Sequence, residues 1–284
     1  MYNLCDINEI KLILKKHGFT FSKALGQNFI IDSSVCPEIV ERAEISESDC
    51  VVEIGPGIGV LTAELCRRAK KVVAIELDKR LPEILADTLS DFDNFTLIEG
   101  DVLKLDLSAL IKEQFEGEEK IKICANLPYY ITSPVIMGLL EGGYPIESIT
   151  VMVQKEAGER ICAEVGSKNA GAVTAAVNYY AEASEDFFVP KESFMPSPKV
   201  DSEVIKLQIR EKPPVKVKDE KKFFNVIKAA FSQRRKSAAN SLSSGLSMPK
   251  AEVIKMLNEL GFEENVRAEN FTMEDFAVIS DYLS

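Results

Sequence analysis

The sequence is poor in metal-ligating side chains. It has one histidine, His17, and its six cysteines stand apart at positions 5, 36, 50, 66, 124 and 162, with no C-x-x-C pair. A zinc centre needs closely spaced imidazole and thiolate ligands, so no metal site is expected. Scattered thiols also give no disulfide framework, and the reducing cytoplasm is the expected compartment. No run of about 18 apolar residues occurs, so no transmembrane helix and no membrane partner is expected. The opening stretch, MYNLCDINEIKLILKKHGF, mixes charge among its apolar positions. Leu4, Ile7, Ile10, Ile13 and Leu14 recur at helical spacing, which predicts an amphipathic helix rather than a secretory signal. Basic residues are in deficit: 34 Lys and Arg face 45 Asp and Glu, a net charge of -11. Taken whole, that balance argues against a nucleic-acid partner.

What is present is ordinary globular material. The 284 residues suffice for one large or two modest domains, and 46% are hydrophobic, which excludes a disordered or collagen-like chain. From residue 50 short apolar runs alternate with helical patterns. Strands are predicted at 50–54, 72–75, 96–98, 121–125 and 149–153, and helices near 58–69, 79–89, 106–115, 133–141 and 155–164. Strands that are apolar throughout imply a parallel sheet covered by helices on both faces. The Ala-rich stretch 170–182 reads equally as helix or strand. Runs at 187–189 and 202–209 predict two further strands, antiparallel at the end of the sheet. The segment EKPPVKVKDEKK (211–222) marks a linker, and all periodic segments after it are helical, near 220–231, 236–243, 249–260 and 272–283. The expected organisation is an α/β, Rossmann-like domain over 1–210 and a small all-helical domain over 211–284.

The sharpest local signal is VVEIGPGIGVLT (51–62), a strand, a Gly-rich turn and a helix start. Glycines 55, 57 and 59 let backbone turn tightly and approach a ligand. The turn has neither the G-x-G-x-x-G of dinucleotide binders nor the G-K-[ST] of a phosphate loop, so pyrophosphate is not the favoured ligand. Glu76 closes the next strand, 21 residues after Gly55, where a carboxylate can accept both hydroxyls of a ribose. Asp101 closes the third, where a carboxylate can accept from an adenine amine. A nucleoside without phosphates is implied, and S-adenosylmethionine fits. A Gly-rich turn by itself also serves as a plain strand-to-helix link; the two carboxylates in step with it argue for the ligand.

The fourth strand ends in Asn126-Leu127-Pro128-Tyr129. The amine of an adenine ring is a weak nucleophile because its lone pair is delocalised. Two acceptors, the Asn126 amide oxygen and the Leu127 carbonyl, can hold its hydrogens while Pro128 fixes the turn and Tyr129 stacks on the base. A paired base must be splayed out to reach such a site. Phe194, in FMPSPKV, is the candidate for a second stacking ring, although alone it reads more readily as a buried loop aromatic.

Taken together, LGQNF (25–29), VVEIGPGIGVLT (51–62), GDVL (100–103), NLPYYIT (126–132), FMPSPKVDS (194–202) and FSQRRKSAAN (231–240) resemble the ribosomal RNA adenine dimethylases, in order and over nearly the whole chain. The resemblance implies an S-adenosylmethionine-dependent methyltransferase acting on two adjacent adenosines in the 3′-terminal hairpin loop of small-subunit (16S) rRNA during ribosome biogenesis. Its partners would be the small-subunit precursor and that rRNA, met by a monomer. Carried over, Asn28, Ile30, Gly55 and Gly57 shape the donor pocket, Glu76 takes the ribose and Asp101 the adenine. Asn126 borders donor and target, and Tyr129 and Phe194 stack the base. Two departures are Ile30, where the family usually has Leu, and Tyr130, where a polar residue is commoner. A large-subunit rRNA substrate, or an assembly role in which catalysis is incidental, are the alternatives.

Local charge now matters. Residues 206–240 hold eleven Lys and Arg against three Asp and Glu, while the remainder carries a net -19. Arg234, Arg235 and Lys236 fall within the family motif and are the expected RNA contacts; Lys11, Lys15, Lys16 and Lys23 form a second basic stretch. The lysines at 212–222 read as readily as a solvated linker.

Overall fold

The computed structural model describes residues 2–22, 25–118, 120–233 and 235–284. The strands are β1 (Phe29–Ile30), β2 (Cys50–Ile54), β3 (Lys71–Glu76), β4 (Phe95–Glu99), β5 (Ile121–Asn126), β6 (Ile146–Gln154), β7 (Ala181–Val189), β8 (Phe194–Met195) and β9 (Ser202–Ile209). The helices are α1 (Ile7–Lys16), α2 (Val35–Arg42), α3 (Val60–Arg68), α4 (Pro82–Thr88), α5 (Leu107–Gln114), α6 (Thr132–Glu141), α7 (Lys155–Ile161), α8 (Ala172–Tyr180), α9 (Glu220–Phe231), α10 (Ala238–Gly245), α11 (Lys250–Glu259) and α12 (Met273–Tyr282). Among the described residues no helix is long and apolar enough to cross a membrane.

The chain forms two compact units, residues 1–158 with 184–209, and residues 159–183 with 210–284. The sheet of the first unit runs β4-β3-β2-β5-β6-β9-β7. The pairs from β4 through to β6 are parallel, and β9 returns antiparallel to β6. Every residue of β2 is buried, as are five of six in β3 and in β5. Side chains alternate across a strand, so such runs fill two cores. Val51 and Val72 join the large apolar cluster of α1 to α4. Val52, Ile54, Ile75 and Ile123 lie on the other side, with Leu107, Leu110 and Ile111 of α5 and Leu139 of α6. The strand order reverses between β2 and β5, which opens a crevice at their carboxyl ends.

The second unit is helical and is held by aromatic packing. Phe223 and Phe224 of α9 are buried; Tyr179 of α8 lies 5.2 Å from each ring, and Tyr180 stacks on Phe224 at 5.3 Å. These contacts explain why 159–183, which the sequence reading leaves in the first domain, packs with the helical one. The ambiguous run 170–182 resolves into α8 and the start of β7. Helices α9 and α10 pack so closely that a Cβ at Gly245 would stand 2.5 Å from the Cβ of Ala229. The expected linker is partly tied down: Val215 is buried and the Lys218 amide donates to Asp281.

One joint positions the ligand side of the sheet. Gly59, at the N-cap of α3, has φ +93, and a Cβ there would meet the Leu89 side chain at 3.1 Å. Gly59→Ala is expected to cost about 1–3 kcal/mol, read as a lower urea midpoint at unchanged slope. An unchanged midpoint would show that the turn tolerates a side chain.

Candidate active site

Strand register sets the site. Ile54 pairs with Ile75, and Glu76 with Glu99, so the ends of β2, β3 and β4 lie side by side. The Gly55 amide donates to the Ile75 carbonyl at 2.9 Å and the Gly100 amide to Glu76 at 2.8 Å, extending the parallel pairing into the loops. The result is a cleft, open to solvent, lined by 25–30, 53–58, 75–77, 100–102 and 126–131 among others. Asn28, Ile30, Gly55, Gly57, Glu76, Asp101, Asn126, Leu127 and Tyr129, named from sequence, all line it.

The Gly-rich turn is tight for steric reasons. Gly55 and Gly57 have φ +72 and +59, and a Cβ on Gly57 would sit 3.2 Å from the Phe29 ring. A side chain at Gly57 would thus be strained and would push into the opposite wall.

The carboxylates differ in setting. Glu76 is 8% exposed and accepts the Asp78 amide at 2.7 Å. Burial raises its pKa, while backbone N–H groups of Asp78, Gly57 and Leu77 oppose the rise. Asp101 is half-buried, accepts the Leu103 amide at 3.1 Å and pairs with the exposed Lys104 at 3.3 Å. Glu53, one residue before the end of β2, was not singled out in sequence. It is 1% exposed, and its Oε2 is buried without a hydrogen-bond partner. The signal was present in VVEIG: a carboxylate inside an apolar strand needs a reason.

Across the cleft, the Asn126 Nδ2 points to the Asn28 carbonyl at 3.5 Å, and Asn28 Nδ2 donates to Gly26 at 3.1 Å. The Asn126 nitrogen is thereby occupied on the Asn28 side and its oxygen is turned elsewhere. Leu127 is buried, with its amide bonded to Met152 at 3.1 Å. Tyr129 is half-buried, its Oη 2.8 Å from Ser202 Oγ, and burial raises its pKa, keeping the phenol neutral. Tyr130 is 54% exposed; a Cβ on Gly26 would lie 3.6 Å from its ring.

Phe194 is placed otherwise than expected. It is 3% exposed and pairs with Ile30 where β8 meets β1. That pairing draws the ring into the apolar core behind the cleft, so it offers no face to a base in this arrangement. Arg235 and Lys236 are exposed at the turn between α9 and α10, in the second unit. Arg234 and Lys23 lie outside the described residues.

Burial, with the neighbouring Glu76 carboxylate adding to the effect, pushes Glu53 up to about 8. The folded chain then holds a proton that the unfolded chain releases near 4.5. Stability contributed by this group is therefore lost as pH rises from the lower value to the upper one, by at most about 1.4 kcal/mol per pH unit. Urea titrations of the ligand-free chain between these limits are expected to show that slope, and Glu53→Gln to flatten it. Parallel pH profiles for the two chains would contradict the burial argument.

Comparison with known proteins agrees with this geometry. The family model described as "Ribosomal RNA adenine dimethylase" matches residues 18–284. The "Ribosomal RNA small subunit methyltransferase A" of Geobacillus sp. (strain WCH70) is 48% identical over 274 residues, 95% of this chain and 94% of that protein. Among solved structures, a dimethyladenosine transferase from Plasmodium falciparum is similar at 26% identity and TM-score 0.70, covering 88% of this chain and 95% of that one. The 23S rRNA methyltransferase ErmE is similar at 26% identity and TM-score 0.66, covering 90% of this chain and 99% of that one. With four of its six motifs gathered at one cleft and its sequence matched almost end to end, the chain belongs to the ribosomal RNA adenine dimethylase family.

Proposed function

We propose that this chain uses S-adenosylmethionine to dimethylate, at N6, two adjacent adenosines in the 3′-terminal hairpin loop of small-subunit (16S) rRNA. It would act as a monomer on the small-subunit precursor, in the cytoplasm. The observation that carries the reading is the grouping of Glu76, Asp101 and Asn126 at neighbouring strand ends of one cleft, beside a glycine turn and the Tyr129 ring. The donor's chemistry fits this set: two carboxylates suit ribose hydroxyls and an adenine amine, and the glycine turn has no side chain to obstruct it. The buried, unpartnered Glu53 oxygen adds a further polar group to the cleft lining. When bound, the donor supplies a methyl group activated on a sulfonium.

In this reading the protein's part is orientation. Asn126 Oδ1 and the Leu127 carbonyl accept the two hydrogens of the target amine, which turns its lone pair toward the methyl. The Asn126–Asn28 contact supports this by fixing which end of the amide faces the cleft. Tyr129, tethered to Ser202, offers a rigid stacking face, and its π face favours the positive charge that develops on the amine. Leu127 and Tyr129 thus act with Asn126, while Phe194 supports the wall through Ile30. Arg234, Arg235 and Lys236 are assigned to RNA phosphates. The similarity to ErmE favours a second reading, large-subunit rRNA as substrate. Unmodified small and large subunits assayed separately distinguish the two, and label confined to the large-subunit rRNA would reject the first.

Asn126→Ala is expected to lower kcat by at least about 100-fold through lost orientation, with donor affinity little changed. Glu76→Ala is expected to weaken donor binding by about 10- to 100-fold. Unchanged donor affinity in the latter would contradict the ribose assignment. For the RNA surface, replacing Arg235 and Lys236 by Ala is expected to weaken RNA binding and lower its salt slope by about 1 per cation removed. An unchanged slope would remove these residues from the RNA surface.

A further inference from the structure

A chain of polar contacts ties the two walls of the donor cleft together, from the lining residues Gln27 and Glu76 to Asp78 behind them. On one side, Ser22 and Gly26–Asn28 lie outside any helix or strand; the β1–β8 pairing begins only at Phe29, so no backbone ladder reaches this stretch of the wall. Gln27 holds it instead: its Oε1 accepts the Ser22 amide at 2.8 Å and its Nε2 donates to Asp78 Oδ2 at 2.7 Å. On the other side, the Asp78 amide donates to Glu76 Oε1 at 2.7 Å. Asp78 is therefore bonded to both walls, yet it is 6% exposed and does not line the cleft.

Arg80 completes the arrangement. Its Nε and Nη2 reach Asp78 Oδ1 and Oδ2 at 2.8 and 2.6 Å, a two-pronged pair that fixes the plane of the carboxylate. Its Nη1 donates to the Thr20 carbonyl at 3.0 Å, and its guanidinium lies 4.7 Å from the Phe19 ring. Hydrogen bonding to Arg80 holds the Asp78 carboxyl below its ordinary pKa, so it stays charged. Asp78 is buried but Arg80 is exposed, so solvent screens the pair and it adds little net stability. Its value lies in fixing one geometry, and here the fixed geometry is the separation of Gln27 from Glu76.

We propose that Asp78 is a positioning residue for methyl-donor binding, acting through Gln27 and Glu76 to hold the two cleft walls in register. The inference rests on the donor reading given above. Without the clasp, the Gln27 wall must be ordered by the donor itself, and binding weakens by that ordering cost. Asn126, Leu127 and Tyr129 take no part in these bonds, so turnover at saturating donor is preserved.

The test uses the full chain carrying Asp78→Asn, Gln27→Ala or both. S-adenosylmethionine affinity is measured by calorimetry, and Ser22 amide exchange is followed in the ligand-free protein. Each single variant is expected to raise the donor Kd about tenfold, the worth of one charged hydrogen bond, and to speed Ser22 exchange. The donor KM rises in step while kcat at saturation is retained. The double variant is expected to be no worse than Asp78→Asn alone, because both act through one contact. If Asp78→Asn does not fold, Gln27→Ala decides, since it leaves the Asp78–Arg80 pair intact. Normal donor affinity in variants whose Ser22 exchange is fast, unaltered Ser22 exchange, or additive effects would each overturn the proposal. A wild-type chain that binds no donor would overturn the donor reading and this inference with it; normal wild-type binding with unaffected variants overturns the inference alone.

Discussion

The parallel pairing of β2, β3, β4 and β5 is the constraint from which the site follows. In an antiparallel sheet neighbouring strands end at opposite edges; here four end at the same one. Each end then delivers one chemical group to a shared cleft: a glycine turn, Glu76, Asp101 and Asn126. The pairing in turn depends on burial. The central strands are apolar on both faces because helices cover both, and this sequesters the sheet while leaving its carboxyl edge open. A shift of one residue in β3 would turn Glu76 to the opposite face and remove the proposed ribose acceptor.

Charge is handled locally rather than globally. The chain is acidic overall, yet 206–240 carries a local excess of positive charge. Conversely, the cleft concentrates carboxylates, which suits a cationic donor and would repel a phosphate-bearing one. Glu53 and Glu76 show how burial sorts equal side chains into different roles. Glu53 has one oxygen enclosed without a hydrogen-bond partner and is pushed up to about 8; Glu76 is also raised by burial, but backbone amides oppose the rise.

Much of this was legible in the sequence. Apolar runs of five or six residues, punctuated by glycine and carboxylate, located the strands and their tips, because the strand end fixes where a side chain can reach. Helix α9 matches its predicted span, since Phe223, Phe224, Val226 and Ile227 recur at helical spacing. Less legible were features set by distant partners. The run 172–180 carries little periodicity, and its membership of the helical unit depends on Tyr179 and Tyr180 meeting Phe223 and Phe224. The two-residue pairing of β1 with β8, which buries Phe194, joins segments 165 residues apart and leaves no local trace. The same holds for Gln27 and Asp78, whose bond is visible only once the cleft is formed.

The central claim is geometric: an amide oxygen at the end of β5 faces the point where a methyl group is delivered to an adenine amine. A crystal structure of the chain with S-adenosylmethionine tests it most directly. The account predicts the sulfonium methyl directed toward the space between Asn126 and Tyr129, with the ribose on Glu76. A methyl directed away from Asn126, with the ribose elsewhere, would contradict it.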